Sequence, residues 1–284
     1  MEVDVAVCTY NSERYLDACL GSIRRNVPYN RLIIVDHYST DKTVKIAKKY
    51  GAEIYFENIG LGYARQLAIE HSSAPFLLFV DSDVVFYDDV WFKESIKIFK
   101  NESMKAGAIG VDTPVRYPDW RQKYNEFWFK YAPKITRKKH FHNVYFLRRK
   151  AIEGIKIPSF LGAYEHNFIK RYVKRKGWKV YIVDGNGIHY YDFPEWKGAW
   201  LGAGARLFGE INVKNLPYML FRRVFTAPLK ALPPAIAHND PAIILHNSIY
   251  WFRFLKGWLK TRKIYNAKTK NSNDYCQSNS DIYQ

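Results

Sequence analysis

The chain has little cysteine, few acids and no long apolar run. Its three cysteines, Cys8, Cys19 and Cys276, are an odd number with no C-x-x-C pair. That argues against a disulfide framework or a cysteine zinc site, and it reads as a reduced, cytoplasmic protein with Cys8 and Cys19 as small core residues. No stretch approaches the roughly 18 uninterrupted apolar residues of a spanning helix. The first residues enter a strand-like alternation at once, so no signal peptide is expected. Acids are outnumbered 27 to 44, a net charge of +17. Such a surplus favours nucleic acid, anionic lipid or phosphorylated substrates without choosing among them. What is abundant is apolar and aromatic: 48% hydrophobic residues, 22 Tyr and 8 Trp in 284 positions. That is enough for one large core, with some rings left for interfaces or sugar platforms.

Val3, Val5 and Val7 alternate as a first strand. Ser12 is placed to cap a helix with the stripe Leu16, Cys19, Leu20 and Ile23. Leu32 to Val35, Glu53 to Phe56 and Phe76 to Val80 read as further strands. Between them lie a helix through Val44, Ile46 and Ala47 that Gly51 ends, and another from Tyr63 to His71. Strand and helix alternating at this spacing predict a mostly parallel α/β sheet, whose ligands sit at the carboxyl ends of the strands. Polar residues cluster at those ends: Thr9 and Asn11, Asp36, then Asp81 and Asp83. Further on, residues 127–152 hold eight Lys or Arg and no acid, and the stretch around Lys134 to Lys150, with Trp128, Tyr131, His140, Phe141 and His142 in or near it, reads as an acceptor loop for a phosphate or as a solvated loop. A helix is expected over Gly162 to Lys176 and a strand over Trp178 to Val183, and no internal repeat is present.

Asp81-Ser82-Asp83 is the sharpest chemical feature. Two carboxylates just past a strand buried on both faces can share a hard divalent cation, Mg or Mn, which also binds a diphosphate and offsets charge on a departing one.

These pieces together resemble family 2 glycosyltransferases of the GT-A (Rossmann-like) fold over roughly residues 3 to 190. The resemblance lies in Cys8-Thr9-Tyr10-Asn11, in Ile33-Ile34-Val35-Asp36 with Ser39-Thr40-Asp41, in Asn58-Ile59-Gly60-Leu61-Gly62 with Ala64-Arg65, and in Asp81-Ser82-Asp83. It implies an inverting hexosyl transfer from a nucleotide-sugar donor, a UDP- or GDP-sugar. Thr9, Asn11, Asp36, Arg65 and Asp81 would hold the nucleotide sugar. Asp83, with Asp81, would bind the metal, and His189 is similar to the histidine that many members carry near it. The family's Glu-Asp pair falls on Glu165 and His166, twelve residues before Gly177, so histidine replaces the acid that usually serves as base. A neutral imidazole can accept a proton near pH 7, and Glu165 competes for the role.

From Ile211 the composition shifts: residues 211–263 carry nine basic residues and one acid, and several prolines predict short helical pieces. Arg253, Lys256, Lys260 and Lys263 share one helical face, while Ile244, Ser248, Trp251, Leu255 and Trp258 line another. That suits a helix lying in an anionic membrane interface or one packed on the protein's own core or a second subunit. The expected organisation is a catalytic domain over 1–210, a basic amphipathic extension over 211–265 that is a possible membrane interface, and a flexible tail over 266–284. The expected acceptor is a glycan, lipid-linked or membrane-proximal, with the protein peripheral at the inner face of the cell membrane. Two other classes compete: a catalytically silent nucleotide-binding subunit, and a basic nucleic-acid-binding protein, which leaves the strand-end aspartates unexplained.

Overall fold

A computed structural model describes residues 2–132, 141, 143–159, 161–162, 164–191, 197–208, 211 and 214–268, with side chains of the last helix described through 261. The chain forms two compact units, the first of residues 1–116, 139–159 and 165–191, the second of 117–138, 160–164 and 192–284. The division in space therefore differs from the linear one at 210, because segments from the middle of the chain fold with the C-terminal helices.

The first unit is a seven-stranded sheet in the order β3-β2-β1-β4-β8-β6-β9. The strands are β1 (Val3–Thr9), β2 (Arg31–Asp36), β3 (Glu53–Phe56), β4 (Phe76–Val80), β6 (Ala106–Asp112), β8 (Val144–Arg148) and β9 (Lys179–Asp184). All neighbours are parallel except β8, which runs against both β4 and β6. β5 (Val84–Phe86), β7 (Val115–Arg116) and β10 (Gly187–Tyr190) make a small second sheet in the order β5-β10-β7.

The periodicity explains the layers. Val3, Val5 and Val7 face a core shared with Leu16, Cys19, Leu20 and Ile23 of α1 (Glu13–Asn26), Ala47 of α2 (Thr43–Lys49) and Trp91, Phe92 and Phe99 of α4 (Val90–Lys100). The alternate residues, Ala6, Ile33, Leu77 and Phe79, face Ala64 and Ala68 of α3 (Leu61–His71), Ala151 of α6 (Arg149–Ile152), and Ile169 and Val173 of α7 (Glu165–Arg175). β4 reads Phe-Leu-Leu-Phe-Val because both its faces are covered; burying each such side chain contributes about 1.5–3 kcal/mol. Cys19 is buried in this core, as expected, whereas Cys8 is only half-buried against the other core, and Cys276 lies outside the described residues. Ser12 precedes α1 but its hydroxyl does not cap it; Asp41 Oδ2 accepts from the Glu13 N–H instead, at 3.0 Å. Of the expected acceptor loop, residues 133–140 and 142, including His140 and His142, lie outside the described residues. Phe141 is buried, seated where a Cβ on Gly110 would come within 2.8 Å of it and stacked on Tyr145, so it is a core residue and not an acceptor contact.

The second unit is helical: α5 (Trp120–Tyr131), α8 (Lys197–Leu207), α9 (Leu216–Met219), a π-helical segment Leu220–Phe225, α10 (Ala227–Ala237) and α11 (Ala242–Lys268). The expected short pieces are present up to Ala237, but Pro233 and Pro234 sit inside α10, and α11 then runs unbroken for 27 residues. It extends past the expected tail boundary at 266, and the tail from 269 lies outside the described residues. α8 and α11 cross at glycines: a Cβ on Gly202 would lie 1.9 Å from the Phe254 carbonyl oxygen, and one on Gly257 1.9 Å from that of Ala199. Trp258 is buried, and its Nε1–H donates to the Ile211 carbonyl at 2.9 Å. Trp251 and Leu255 pack on the same cluster. The apolar line expected for a membrane interface is therefore turned to this unit's own core, the other option the sequence left open. Among the described residues no helix is long and apolar enough to cross a membrane.

Candidate active site

The strand ends of the first unit are built by sheet register. Thr9 and Asp36 are partners across β1 and β2, and Thr9 Oγ1–H donates to Asp36 Oδ2 at 2.6 Å. The Ser39 N–H and hydroxyl donate to Asp36 Oδ1 and Oδ2, each at 2.7 Å. Asp36 is thus a buried carboxylate, fixed before any ligand arrives. Asn11, in the left-handed region at φ 46°, has its side-chain oxygen occupied by the Thr40 N–H at 2.9 Å, so it ties the β1 end to the turn after β2. At the end of β3, Glu57 is buried. Its Oε1 lies 2.7 Å from His37 Nδ1, and its Oε2 accepts from the N–H groups of Ile59 and Gly60.

Past β4 the chain turns tightly, with the Val84 N–H donating to the Asp81 carbonyl and the Asp81 N–H to that of Asn143. The turn brings one carboxylate oxygen each of Asp81 and Asp83 and a ring nitrogen of His189 within 4.8 Å of one another. His189 arrives from far along the chain because β10 pairs with β5, which sets His189 opposite Val84. Its Nε2 is 3.1 Å from Asp83 Oδ1, and its Nδ1 is 2.7 Å from the Asn143 side-chain amide. The set of two carboxylate oxygens and one imidazole, with a partner orienting that imidazole from behind, could hold a divalent cation.

Beside this triad lies a buried polar cluster. Arg65 is 1% exposed, and its Nη2–H donates to Asp81 Oδ1 at 2.5 Å. Its Nε is 3.8 Å from Glu165 Oε1, and its guanidinium stands over the rings of Phe79 and Tyr145. Arg65 Nε and Nη1, Glu165 Oε2 and the Tyr145 hydroxyl are buried without hydrogen-bond partners, and a buried group left so calls for an explanation such as strain, a bound water or ion, or a role in chemistry. His166 is more exposed, with Nδ1 3.7 Å from Glu165 Oε2. Desolvation raises the Asp81 carboxyl above its usual range; Arg65 pulls it back and Asp83 pushes it further. Burial pushes the Cys8 thiol up to about 12, which disfavours its thiolate.

The predicted residues thus fall into two groups. Thr9, Asn11 and Asp36 lie at the β1 and β2 ends, and Asp81, Asp83 and His189 converge with Arg65, Glu165 and His166 beside them. Sequence reasoning missed Glu57, Asn143 and Tyr145. Glu57 follows a strand and was open to the same strand-end argument; the other two flank Val144 on β8, whose short apolar run was not read as a strand.

Comparison with known proteins bears on the family and the fold. The family model "Glycosyl transferase family 2" matches residues 4–158. TarS of Staphylococcus aureus, a poly(ribitol-phosphate) beta-N-acetylglucosaminyltransferase, is 34% identical over 107 residues, 34% of this chain and only 18% of its own length. A processive diacylglycerol beta-glycosyltransferase of Mycoplasma pneumoniae is 23% identical over 224 residues, 68% of this chain and 64% of the relative. Among solved structures, glucosyl-3-phosphoglycerate synthase from Mycobacterium tuberculosis, in complex with Mn2+, uridine-diphosphate-glucose and phosphoglyceric acid, superposes with a TM-score of 0.52 at 19% identity, covering 72% of this chain and 75% of that one. That likeness establishes the GT-A fold. With the family model reaching from β1 past β8 through Thr9, Asp36, Arg65, Asp81 and Asp83, the chain belongs to glycosyl transferase family 2.

Proposed function

We propose that the protein transfers a sugar, with inversion, from a nucleotide-diphosphate sugar to a hydroxyl of a lipid-linked or membrane-proximal acceptor. The observation that carries this reading is the convergence of Asp81, Asp83 and His189 beside the buried Arg65–Glu165 pair. Asp36 and Thr9 receive the nucleoside, and Asp36 offers a fixed acceptor to a base N–H or a ribose hydroxyl. Arg65 supplies positive charge next to Asp81. Mg or Mn, held by Asp81, Asp83 and His189, would steady the negative charge of the diphosphate when bound. His166 takes the proton of the acceptor hydroxyl while Glu165 stabilises the imidazolium that forms. The acceptor oxygen attacks the anomeric carbon from the side opposite the nucleotide, the bond from that carbon to the phosphate oxygen breaks, and its electron pair leaves with the nucleoside diphosphate. The lipid side of the reading is supported by the diacylglycerol relative and by the basic C-terminal composition.

The test is a panel of UDP-, GDP- and dTDP-sugars with Mn or Mg, following binding and slow donor hydrolysis on wild type, Asp83→Ala and His166→Ala. Metal-dependent binding of one donor should vanish in Asp83→Ala with the melting temperature unchanged. His166→Ala should keep donor binding and lose about 10²–10⁴-fold in transfer. Full activity in Asp83→Ala would end this reading; full activity in His166→Ala with none in Glu165→Gln would move the base to Glu165.

A further inference from the structure

In the second unit, the segment from α9 through the π-helical stretch to α10 is inside out. Its solvent-facing large residues are Tyr218, Phe221, Phe225, Leu229, Leu232 and Ile236, each between 46% and 72% exposed. The steps between them are three, four, four, three and four residues, the spacing of one continuous line along a helix. The residues turned inward on α10 are Ala227, Ala231, Pro234 and Ala235. A water-facing helix would do the reverse, since leaving a Phe, Leu or Ile in water forgoes about 1.5–3 kcal/mol each. A contiguous exposed apolar line of this length marks a surface that another phase or partner covers.

The charge around the line indicates which. Arg222 and Lys230 are exposed beside it. The only acid between 211 and 263 is Asp240, already paired with Lys123 at 2.7 Å. A second copy of the chain would bring a second cationic face against this one, whereas an anionic bilayer offers acyl chains to the rings and phosphates to the Arg and Lys. α11 has the same character on its exposed side, with Leu245, Phe252 and Leu259 at seven-residue intervals and the exposed Lys256 and Lys260 among them.

We propose that the α9–α10 line, Tyr218 to Ile236, inserts in the plane of an anionic bilayer at the boundary of headgroups and acyl chains. It is held by apolar side chains and flanked by Arg222 and Lys230. This deepens the membrane-proximal reading of the acceptor and rests on it for its purpose, but it concerns a surface distinct from the Trp258 face of α11. Binding by insertion differs from binding by charge alone in surviving salt.

The experiment is flotation of the full chain with vesicles of phosphatidylcholine alone or mixed with phosphatidylglycerol, at low and high salt. It compares wild type with Phe225→Ser/Ile236→Ser, and donor hydrolysis is measured on the same samples. These two side chains face solvent, so circular dichroism and melting temperature should match wild type. Wild type should bind the mixed vesicles and keep a substantial part of that binding at high salt. The double variant should bind about a hundredfold more weakly. Absence of vesicle binding by wild type, equal binding by the variant, or complete loss of wild-type binding at high salt would each overturn the proposal. So would a wild-type dimer that the variant converts to monomer without any vesicle binding. Vesicle binding without donor hydrolysis would sink the donor reading and leave this one standing.

Discussion

The two units place their apolar and polar side chains in opposite ways. In the first, valines, leucines and phenylalanines lie between sheet and helices, and charged groups such as Asp36, Arg65 and Glu165 are drawn inside at the strand ends. In the second, glycine and alanine bring helices into backbone contact, and much of the large apolar surface is left outside. Of the sixteen exposed large hydrophobic residues among the described ones, eleven lie in the second unit, so that unit is not built to face water alone. Burying charge has a cost that a functional site can justify, and exposing hydrocarbon has one that a covering phase removes. Each unit is thus suboptimal as an isolated object at the place where a role is proposed for it.

That contrast can be broken or sharpened by experiment. The largest effect is expected at Gly202→Leu, whose side chain would collide with the Phe254 carbonyl. It should cost about 3 kcal/mol in urea unfolding while donor binding to the first unit persists below the transition. If both units are lost together, they are one cooperative body and the comparison fails. Next is Tyr145→Phe. Its hydroxyl is buried without a partner, so removing it should raise stability by about 1 kcal/mol. A fall in stability would show that the hydroxyl is satisfied in solution, and weaker donor binding would place it at the ligand.

The smallest effect concerns pH. The hydrogen bond to Glu57 raises the His37 imidazole above its usual value. Its contribution is therefore fully present below the unfolded-state value near 6.5 and fades as pH rises through the folded one. Lys123 lowers the Asp240 carboxyl in the second unit, so that contribution is present above the unfolded value and fades as pH falls through the folded one. Melting curves should show His37→Gln deviating from wild type mainly in acid and converging with it in alkali, and Asp240→Asn the reverse. Parallel curves would mean that neither pair contributes measurably.

What could be read in the sequence was local. β1 to β4 and the polar residues after them are legible because an apolar run and the residue that ends it are adjacent in the chain. His189 was placed with Asp83 through the family resemblance, and the register of β10 on β5 supplies the physical reason. β8 was illegible because its five residues take their meaning from β4 and β6, far away in sequence, and with it Asn143 and Tyr145 were lost. The amphipathic pattern of α11 is the same whether Trp258 faces lipid or protein, and only packing against α8 and Ile211 decides it. The line from Tyr218 to Ile236 escaped notice because Pro228, Pro233 and Pro234 read as breaks, whereas the chain keeps helical turns across them.

The reversed direction of β8 has a consequence for how such a fold diversifies. A parallel strand delivers its trailing end to the ligand side, so the loop that follows is the one that varies. β8, antiparallel to its neighbours, delivers its leading end, with Val144 beside Val80 and Asn143 against the Asp81 turn. A change ahead of β8 therefore meets the ligand side first, next to two fixed residues, Phe141 packed on Gly110 and Asn143 beside His189. On the proposed function, that makes the segment ahead of β8 a natural graft point for new acceptor preferences, provided Phe141 and Asn143 are kept at the junction.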